Sequence, residues 1–510
     1  MGTLFNTFKD AAESFPEKTA LITEGGRHSY ASLLTQANLW ANLLYARNTN
    51  QQPRVALLIE DPFHTISTSF GVARLDGNCV PTNPQLHPKQ LLHNWQATDV
   101  NIVIYEPIFK HKIKSFPQND WIFISTDEVI QQQIVETTPP SNNNFPWSKQ
   151  NDFLIAFSSG STGTPKPTVL SQENKLMRAQ QSWDLYNLIS DDVVLCASPY
   201  FHSLGQRLTY VPLLLGATLV YVTKFTPKNW LSFVSEHQVS FTIGVSSHLY
   251  ALKDALLDNA EQLQSLKTIV TSSAPIDTEF KREIFEAIGC DFHEIYGATE
   301  IAIASNLTKE NASDKFASVG LPCSNIEVRI LDDVGAELPI DTVGEIAVKT
   351  PLIFQGYYNQ PDATKASFVD GYFLTGDLGT IDQEGFLYYV SRKKDVIITG
   401  GINIYPKTIE SVISQNPDVH EVAVIGVNDK LFGEVSIAVC VTTDQKNIAS
   451  ELHLLANQNL APYQCPLKYF FRESLPLTST GKVSKLALRE EYNALNQDWT
   501  MPLRLMLYGE

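Results

Sequence analysis

The chain has 510 residues, of which 43% are hydrophobic and 18% charged, and its formal net charge is −17. That length exceeds what one hydrophobic core supports and predicts two or more domains of globular composition. The acidic balance excludes general binding to nucleic acid or to an anionic membrane, since each needs a basic surface.

At the N-terminus Lys9, Asp10 and Glu13 interrupt any apolar run that would serve as a secretion signal. From there to about residue 271 short apolar runs alternate with helical patterns. The strands expected are Arg54–Glu60, Asn101–Tyr105, Phe153–Phe157, Val193–Ala197, Thr218–Val222, Ser240–Ile243 and Thr268–Thr271. Strands alternating with helices predict an α/β fold with substantially parallel sheets. Gln131–Asn151, rich in Gln, Asn, Thr, Ser and Pro, reads as a surface connection. Val211–Val222 is the longest apolar stretch and is too short to span a bilayer. After about Val319 short strands between turn residues (Ile326–Leu331, Gly344–Lys349, Phe373–Thr375, Phe386–Val390) predict a smaller β-rich unit. A third block from about Arg392, with a helix over Pro406–Gln415 and strands over Val419–Val427 and Val435–Val441, reads as a small α+β domain. The six cysteines, Cys79, Cys196, Cys290, Cys323, Cys440 and Cys465, form no CxxC pair. They are expected as reduced, buried small hydrophobes in a cytoplasmic protein.

The sharpest local feature is Phe157-Ser158-Ser159-Gly160-Ser161-Thr162-Gly163-Thr164-Pro165-Lys166, directly after an expected strand. Seven of its ten residues are Ser, Thr or Gly. Such a loop offers backbone N–H groups and hydroxyls in a tight concavity, with a cation at its end, which is what a triphosphate requires. It is not a Walker A loop: Pro167 follows the lysine, Val169-Leu170 reads as strand, and a helix begins only near Ser171, a candidate N-cap. Leu176, Ala179, Trp183 and Tyr186 then follow helical spacing.

The loop resembles the signature of the adenylate-forming superfamily, which holds acyl- and aryl-CoA synthetases, peptide-synthetase adenylation domains and firefly luciferase. The resemblance continues in order over nearly the whole chain. It takes in Pro199-Tyr200-Phe201-His202-Ser203-Leu204-Gly205, Ser272-Ser273-Ala274-Pro275, Tyr296-Gly297-Ala298-Thr299-Glu300 and Thr375-Gly376-Asp377. It then takes in Arg392-Lys393-Lys394-Asp395, Gly400-Gly401-Ile402-Asn403-Ile404-Tyr405-Pro406 and Thr480-Gly481-Lys482. It implies a large N-terminal domain over 1–391, with the β-rich subdomain at about 319–391. A hinge over 392–396 centred on Lys394, a mobile C-terminal domain over 397–510 and an active site between the domains complete the implied architecture.

The resemblance implies the following roles. Ser158, Ser159, Gly160, Ser161, Thr162, Gly163, Thr164 and Lys166 hold the β- and γ-phosphates of ATP. Thr299 touches the α-phosphate, and Glu300 ligates Mg²⁺, a hard cation suited to one carboxylate and phosphate oxygens. Ser273, Ala274, Pro275, Tyr296 and Gly297 line the adenine side. Asp377 accepts from the ribose hydroxyls with Arg392 beside it. Lys482 bridges the acid's carboxylate and the α-phosphate, where charge accumulates. His202, with Gly244 and Ala298, belongs to the acyl pocket and its gate, and Gly400 and Gly401 line the thiol tunnel. Two departures stand out: Pro167 replaces the family's glycine after the lysine, and Ser272-Ser273-Ala274-Pro275 replaces a Gly-rich turn.

The reaction implied joins a carboxylic acid to ATP as acyl-AMP with release of pyrophosphate, then passes the acyl group to a thiol. Phe201-His202-Ser203-Leu204 carries no acid to pair an α-ammonium, so the expected substrate lacks an α-amino group. Small and apolar residues over Gly244–Ser247 and Ile301–Ala304 favour an apolar tail, with a fatty acid preferred over an aryl acid. Three readings stay open: a CoA ligase; a stand-alone ligase loading the phosphopantetheine of an acyl carrier protein; and a non-catalytic nucleotide-binding protein on the same fold. The last predicts loss of a charged site residue, yet Glu300, Asp377 and Lys482 are all present.

Overall fold

A computed structural model describes residues 3–47, 52–117, 120–131, 152–158, 166–258, 260–274, 276–430, 432–442, 448–478, 483–495, 497 and 499. The chain divides into two compact units. The first comprises Met1–Ser158, Pro165–Glu327 and Lys349–Phe373, and the second chiefly Val328–Val348 and Leu374–Glu510.

Among the described residues the first unit holds a seven-stranded and a nine-stranded sheet. The elements that carry the site are β1 (Asp152–Ser158), β2 (Lys166–Ser171), α1 (Gln172–Tyr186), α2 (Ser203–Leu215), β3 (Phe241–Val245), β4 (Thr268–Ser272), β5 (Asp291–Ala298) and β6 (Ala302–Thr308). Most of the interior pairings are parallel, as β3–β4 and β4–β5 are. The sheets are nevertheless mixed, because β1 with β2 and β5 with β6 are antiparallel hairpins. The alternation of strand and helix made parallel order legible, but both hairpins are motif-bearing excursions that the alternation does not report.

The β1–β2 hairpin is anchored from below. Ile155 and Val169 belong to a buried cluster with Trp95, Trp121 and Val103, so burial of large apolar side chains fixes where the loop between the strands starts and ends. Ser158 pairs with Lys166 and Phe157 with Pro167. Pro167 therefore lies in the ladder, and its carbonyl accepts from Tyr358 N at 2.8 Å. Ser171 caps α1 as its side chain suggested: its Oγ accepts from Asn174 N at 3.0 Å, and Asn174 Oδ1 accepts from Ser171 N at 3.2 Å. The buried face of α1 carries polar and charged side chains beside apolar ones. Lys175, Arg178, Ala179, Ser182 and Tyr186 are buried, while Leu176 and Trp183 are only partly so.

The second unit contains most of β7 (Tyr372–Ile381), β8 (Leu387–Arg392), β9 (Ile397–Thr399), β10 (Ile402–Ile404) and α3 (Lys485–Ala494). Its long hairpin, Val419–Asp429 with Gly433–Thr442, has alternate residues in two different cores. Ile425 and Ile437 face one and Val424 and Ala438 the other, the period of two of a sheet covered on both sides. Of the cysteines, Cys79, Cys196, Cys323 and Cys440 are buried as expected, but Cys290 and Cys465 are only partly buried; all six are free thiols. No described helix is long and apolar enough to cross a membrane.

Candidate active site

Within the first unit, Lys166 and Glu300 meet on one phenol. Lys166 Nζ lies 4.6 Å from the centre of the Tyr357 ring, and Tyr357 OH donates to Glu300 Oε1 at 3.2 Å. Burial, with the Glu300 carboxylate beside it, raises the Tyr357 phenol far above its ordinary value and keeps it a donor. Glu300 is itself 8% exposed.

The turn carrying Thr299 and Glu300 is held by Arg178 of α1. Its Nη1 donates to Thr299 O at 2.8 Å, its Nη2 to Glu300 O at 3.1 Å and to Leu352 O at 2.7 Å, and its Nε to Leu352 O at 3.3 Å. Phe354 N also donates to Glu300 O at 2.8 Å. Desolvating a guanidinium costs on the order of several kcal/mol, and hydrogen bonds from a charged donor contribute about 1.5–3 kcal/mol each. Four such bonds offset the burial of a residue only 5% exposed. Burial, with Arg207 nearby, lowers Arg178 to about 9, against the pull of Glu300. Just before the turn, a Cβ on Gly297 would sit 1.9 Å from Ala302 O, so only glycine fits there.

The remaining expected residues of this unit are placed as follows. Tyr296 is buried in β5, opposite Ser305 of β6, and Ala298 ends β5 opposite Ala302. Ser273 follows β4 with φ +81°, a left-handed conformation that a glycine would adopt without strain. Its neighbour Ala274 accepts at its carbonyl from Ser246 Oγ. His202 is the N-cap residue of α2 and packs edge-on against Phe201, with ring centres 4.4 Å apart. Gly244 lines a narrow, mostly apolar pocket with Trp230, Ile243, His248, Leu252 and Val270. Ser159, Gly160, Ser161, Thr162, Gly163, Thr164, Pro275, Lys482 and the side chain of Ser158 lie outside the described residues.

A family model described as AMP-binding enzyme matches residues 8–358, and one described as AMP-binding enzyme C-terminal domain matches 408–482. The chain belongs to the AMP-binding enzyme family. It is 32% identical to the indoleacetate–CoA ligase of Aromatoleum aromaticum, over 93% of this chain and 95% of that one. It is 29% identical to a long-chain-fatty-acid–CoA ligase of Bacillus subtilis, over 96% and 94%. The crystal structure of ATP-bound MatB from Rhodopseudomonas palustris superposes with a TM-score of 0.86 at 29% identity, covering 97% and 99%. The α/β fold, with a large N-terminal and a small C-terminal part, is that of the adenylate-forming enzymes.

The family's second-unit motifs lie on β7 to β10. Asp377 of β7 and Arg392 of β8 face each other in register; Arg392 Nε lies 2.7 Å from Asp377 Oδ1, and Asp377 is 3% exposed. Asp377 N donates to Thr375 Oγ1 at 3.1 Å. Tyr389, beside this pair, is raised by burial and by the Asp377 carboxylate. Lys394 lies in a short 3₁₀ turn, Lys393–Asp395, whose carbonyls at Lys394 and Asp395 accept from Arg489 Nη1 and Nη2 of α3 at 3.0 and 3.1 Å. Gly400 and Gly401 turn β9 into β10 with φ +56° and +84°.

Among the described residues no three His, Cys, Asp or Glu gather as metal ligands. Glu300 is one buried carboxylate beside the Tyr357 phenol, which fits a Mg²⁺ that keeps phosphate oxygens and water and fits no all-protein cage. Sequence reasoning missed Arg178 and Tyr357. Two cations three residues apart on α1, Lys175 and Arg178, were the available signal for the first. Tyr357 lies 57 residues from Glu300 and carries no local signal.

Proposed function

We propose that this enzyme is an AMP-forming acid–thiol ligase that activates a carboxylic acid as acyl-AMP and transfers the acyl group to coenzyme A. The convergence of Lys166 and Glu300 on the Tyr357 phenol, in a chain of this family, carries the reading. The obstacle to the first step is repulsion between a carboxylate and a triphosphate. The acid is already ionised, so no general base is required and catalysis rests on charge neutralisation and alignment. The carboxylate oxygen attacks the α-phosphorus and pyrophosphate leaves; a thiol sulfur then attacks the acyl carbon and AMP leaves.

In this reading Lys166 holds the terminal phosphates, and Thr299, fixed through its carbonyl by Arg178, presents its side chain to the α-phosphate. Glu300 would hold Mg²⁺, which when bound offsets phosphate charge. Asp377 takes the ribose hydroxyls with Arg392 keeping it oriented, and Lys482 neutralises the reacting oxygens. Residues 392–396 act as the hinge between 1–391 and 397–510. The apolar pocket at Gly244 supports an acid with an apolar body, aliphatic or aromatic. Relatives named as CoA ligases favour coenzyme A over a carrier protein as acceptor.

The test is acid-dependent exchange of pyrophosphate into ATP over fatty, aryl and dicarboxylic acids, followed by thioester assays with CoA and with holo carrier protein. Exchange with at least one acid and thioester on CoA are expected. ATP binding without exchange for any acid would favour a non-catalytic nucleotide-binding protein.

A further inference from the structure

We propose that Tyr357 is a positioning residue that readies the metal site and the phosphate site together. Its hydroxyl orients the Glu300 carboxylate for Mg²⁺, and its ring face holds the Lys166 ammonium for the triphosphate. This rests on the nucleotide-binding part of the reading above and adds a residue to it.

The backbone around Tyr357 binds two separate parts of the site. Phe354 N donates to Glu300 O at 2.8 Å. On the other side, Gln355 N donates to Val169 O at 2.9 Å and Tyr358 N to Pro167 O at 2.8 Å. Gly356–Tyr357 therefore runs antiparallel to β2, with Tyr357 opposite Thr168. Tyr357 N is held as well, donating to Thr364 Oγ1 at 2.9 Å. One short segment thus staples the strand that begins at Lys166 to the turn that carries Glu300. The Tyr357 side chain lies at that junction, buried and packed edge-on against Phe354 with ring centres 4.9 Å apart.

The hydroxyl and the ring do different work. A carboxylate that ligates a metal is held in place by its own hydrogen bonds, and losing such a bond costs about 10–100-fold in metal affinity. The Tyr357 hydroxyl supplies that bond to Glu300 Oε1. The Lys166 ammonium rests against the ring, whose π face attracts a cation. A flexible lysine kept in place before its ligand arrives has less rotamer freedom left to lose on binding phosphate. Phenylalanine at this position keeps the ring and drops the hydroxyl, whereas leucine drops both, so the two contributions separate.

Calorimetric titration of the full chain with ATP, in EDTA and in saturating Mg²⁺ and without any acid, tests this. The quantity read is the factor by which Mg²⁺ tightens ATP binding, compared between variants so that the intrinsic affinity of ATP for Mg²⁺ cancels. Tyr357→Phe is expected to reduce that factor about 10-fold. Tyr357→Leu should in addition bind ATP in EDTA about 3-fold more weakly than Tyr357→Phe does. In Glu300→Gln, where the ligand is already gone, adding Tyr357→Phe should change the factor by less than about 2-fold. Thermal melts establish folding, and Tyr357→Phe with its Glu300→Gln cycle decides the matter even where Tyr357→Leu does not fold. No tightening by Mg²⁺ in the wild type, equal losses with and without Mg²⁺ in a folded Tyr357→Phe, or the full further loss in the Glu300→Gln background would overturn the proposal. The expected pattern without acid-dependent pyrophosphate exchange would sink the ligase reading and leave this role standing. Exchange together with an unaltered Mg²⁺ factor in Tyr357→Phe would sink this inference alone.

Discussion

His248 shows how one half-buried side chain makes the candidate acyl pocket sensitive to acid. It lines that pocket, stacks on Phe225 with ring centres 3.8 Å apart, and is lowered by burial to about 4. The unfolded chain holds this imidazole near its ordinary value of about 6.5, so between those values the unfolded state binds more protons. Stability is complete above about pH 6.5 and falls as the pH drops towards 4. At pH 5 the loss attributable to this group is roughly 2 kcal/mol. Urea denaturation at pH 7 and pH 5 should show a smaller fall in stability for His248→Phe than for the wild type. Parallel losses in the two proteins would rule out the assignment. Ser273 is a second residue-scale feature. The substitution of Ser for Gly in its turn was visible in the sequence, but the φ of +81° that makes the substitution strained was not, because strain is set by β4 and the Ser246 bond around it.

At the scale of elements, the hairpins were legible to different degrees. The edge of β2 and the start of α1 were readable because Ser171 and Asn174 cap locally, three residues apart. The helical spacing of Leu176, Ala179, Trp183 and Tyr186 marked the helix, and Ala179 and Tyr186 are buried, but the spacing does not report that the interior face also carries Lys175 and Arg178. Their acceptors, Gln206, Thr299, Glu300 and Leu352, are distant in sequence, so no local pattern announces them. The β5–β6 hairpin depends on Gly297 packing its backbone on Ala302, with a register shift between Tyr296 and Gly297. Gly297→Ala must push the strands apart. The expected cost is about 1–3 kcal/mol of stability. The accompanying displacement of Thr299 and Glu300 should lower pyrophosphate exchange roughly 100-fold. Exchange kinetics and thermal melts check this; wild-type exchange in the variant would show that the turn does not depend on that contact.

Over the whole molecule, the order of the motifs along the chain was legible, and the family match over 8–358 and 408–482 agrees with it. What no motif encodes is which acid is used, since that depends on cavities assembled from several elements, such as the one at Gly244. The two proposed steps separate at Lys482. If it neutralises the reacting oxygens only during adenylation, Lys482→Ala should cut acid-dependent pyrophosphate exchange by about 100-fold or more. Thioester formation from supplied acyl-AMP should stay within about 3-fold of the wild type, because a group acting in one step leaves the other's barrier in place. Equal losses in both half-reactions would contradict that division of labour.

Arg178 joins stretches of chain that lie 121, 122 and 174 residues away from it. Contacts of such long sequence separation close late, after loop entropy has been spent on the bulk of the structure. A chain that has collapsed around Trp95 and Trp121 but not yet gathered these three carbonyls has a core and no catalytic turn. One guanidinium thus ties three distant stretches of backbone together, and its loss frees all three at once while leaving the core around Trp95 and Trp121 in place.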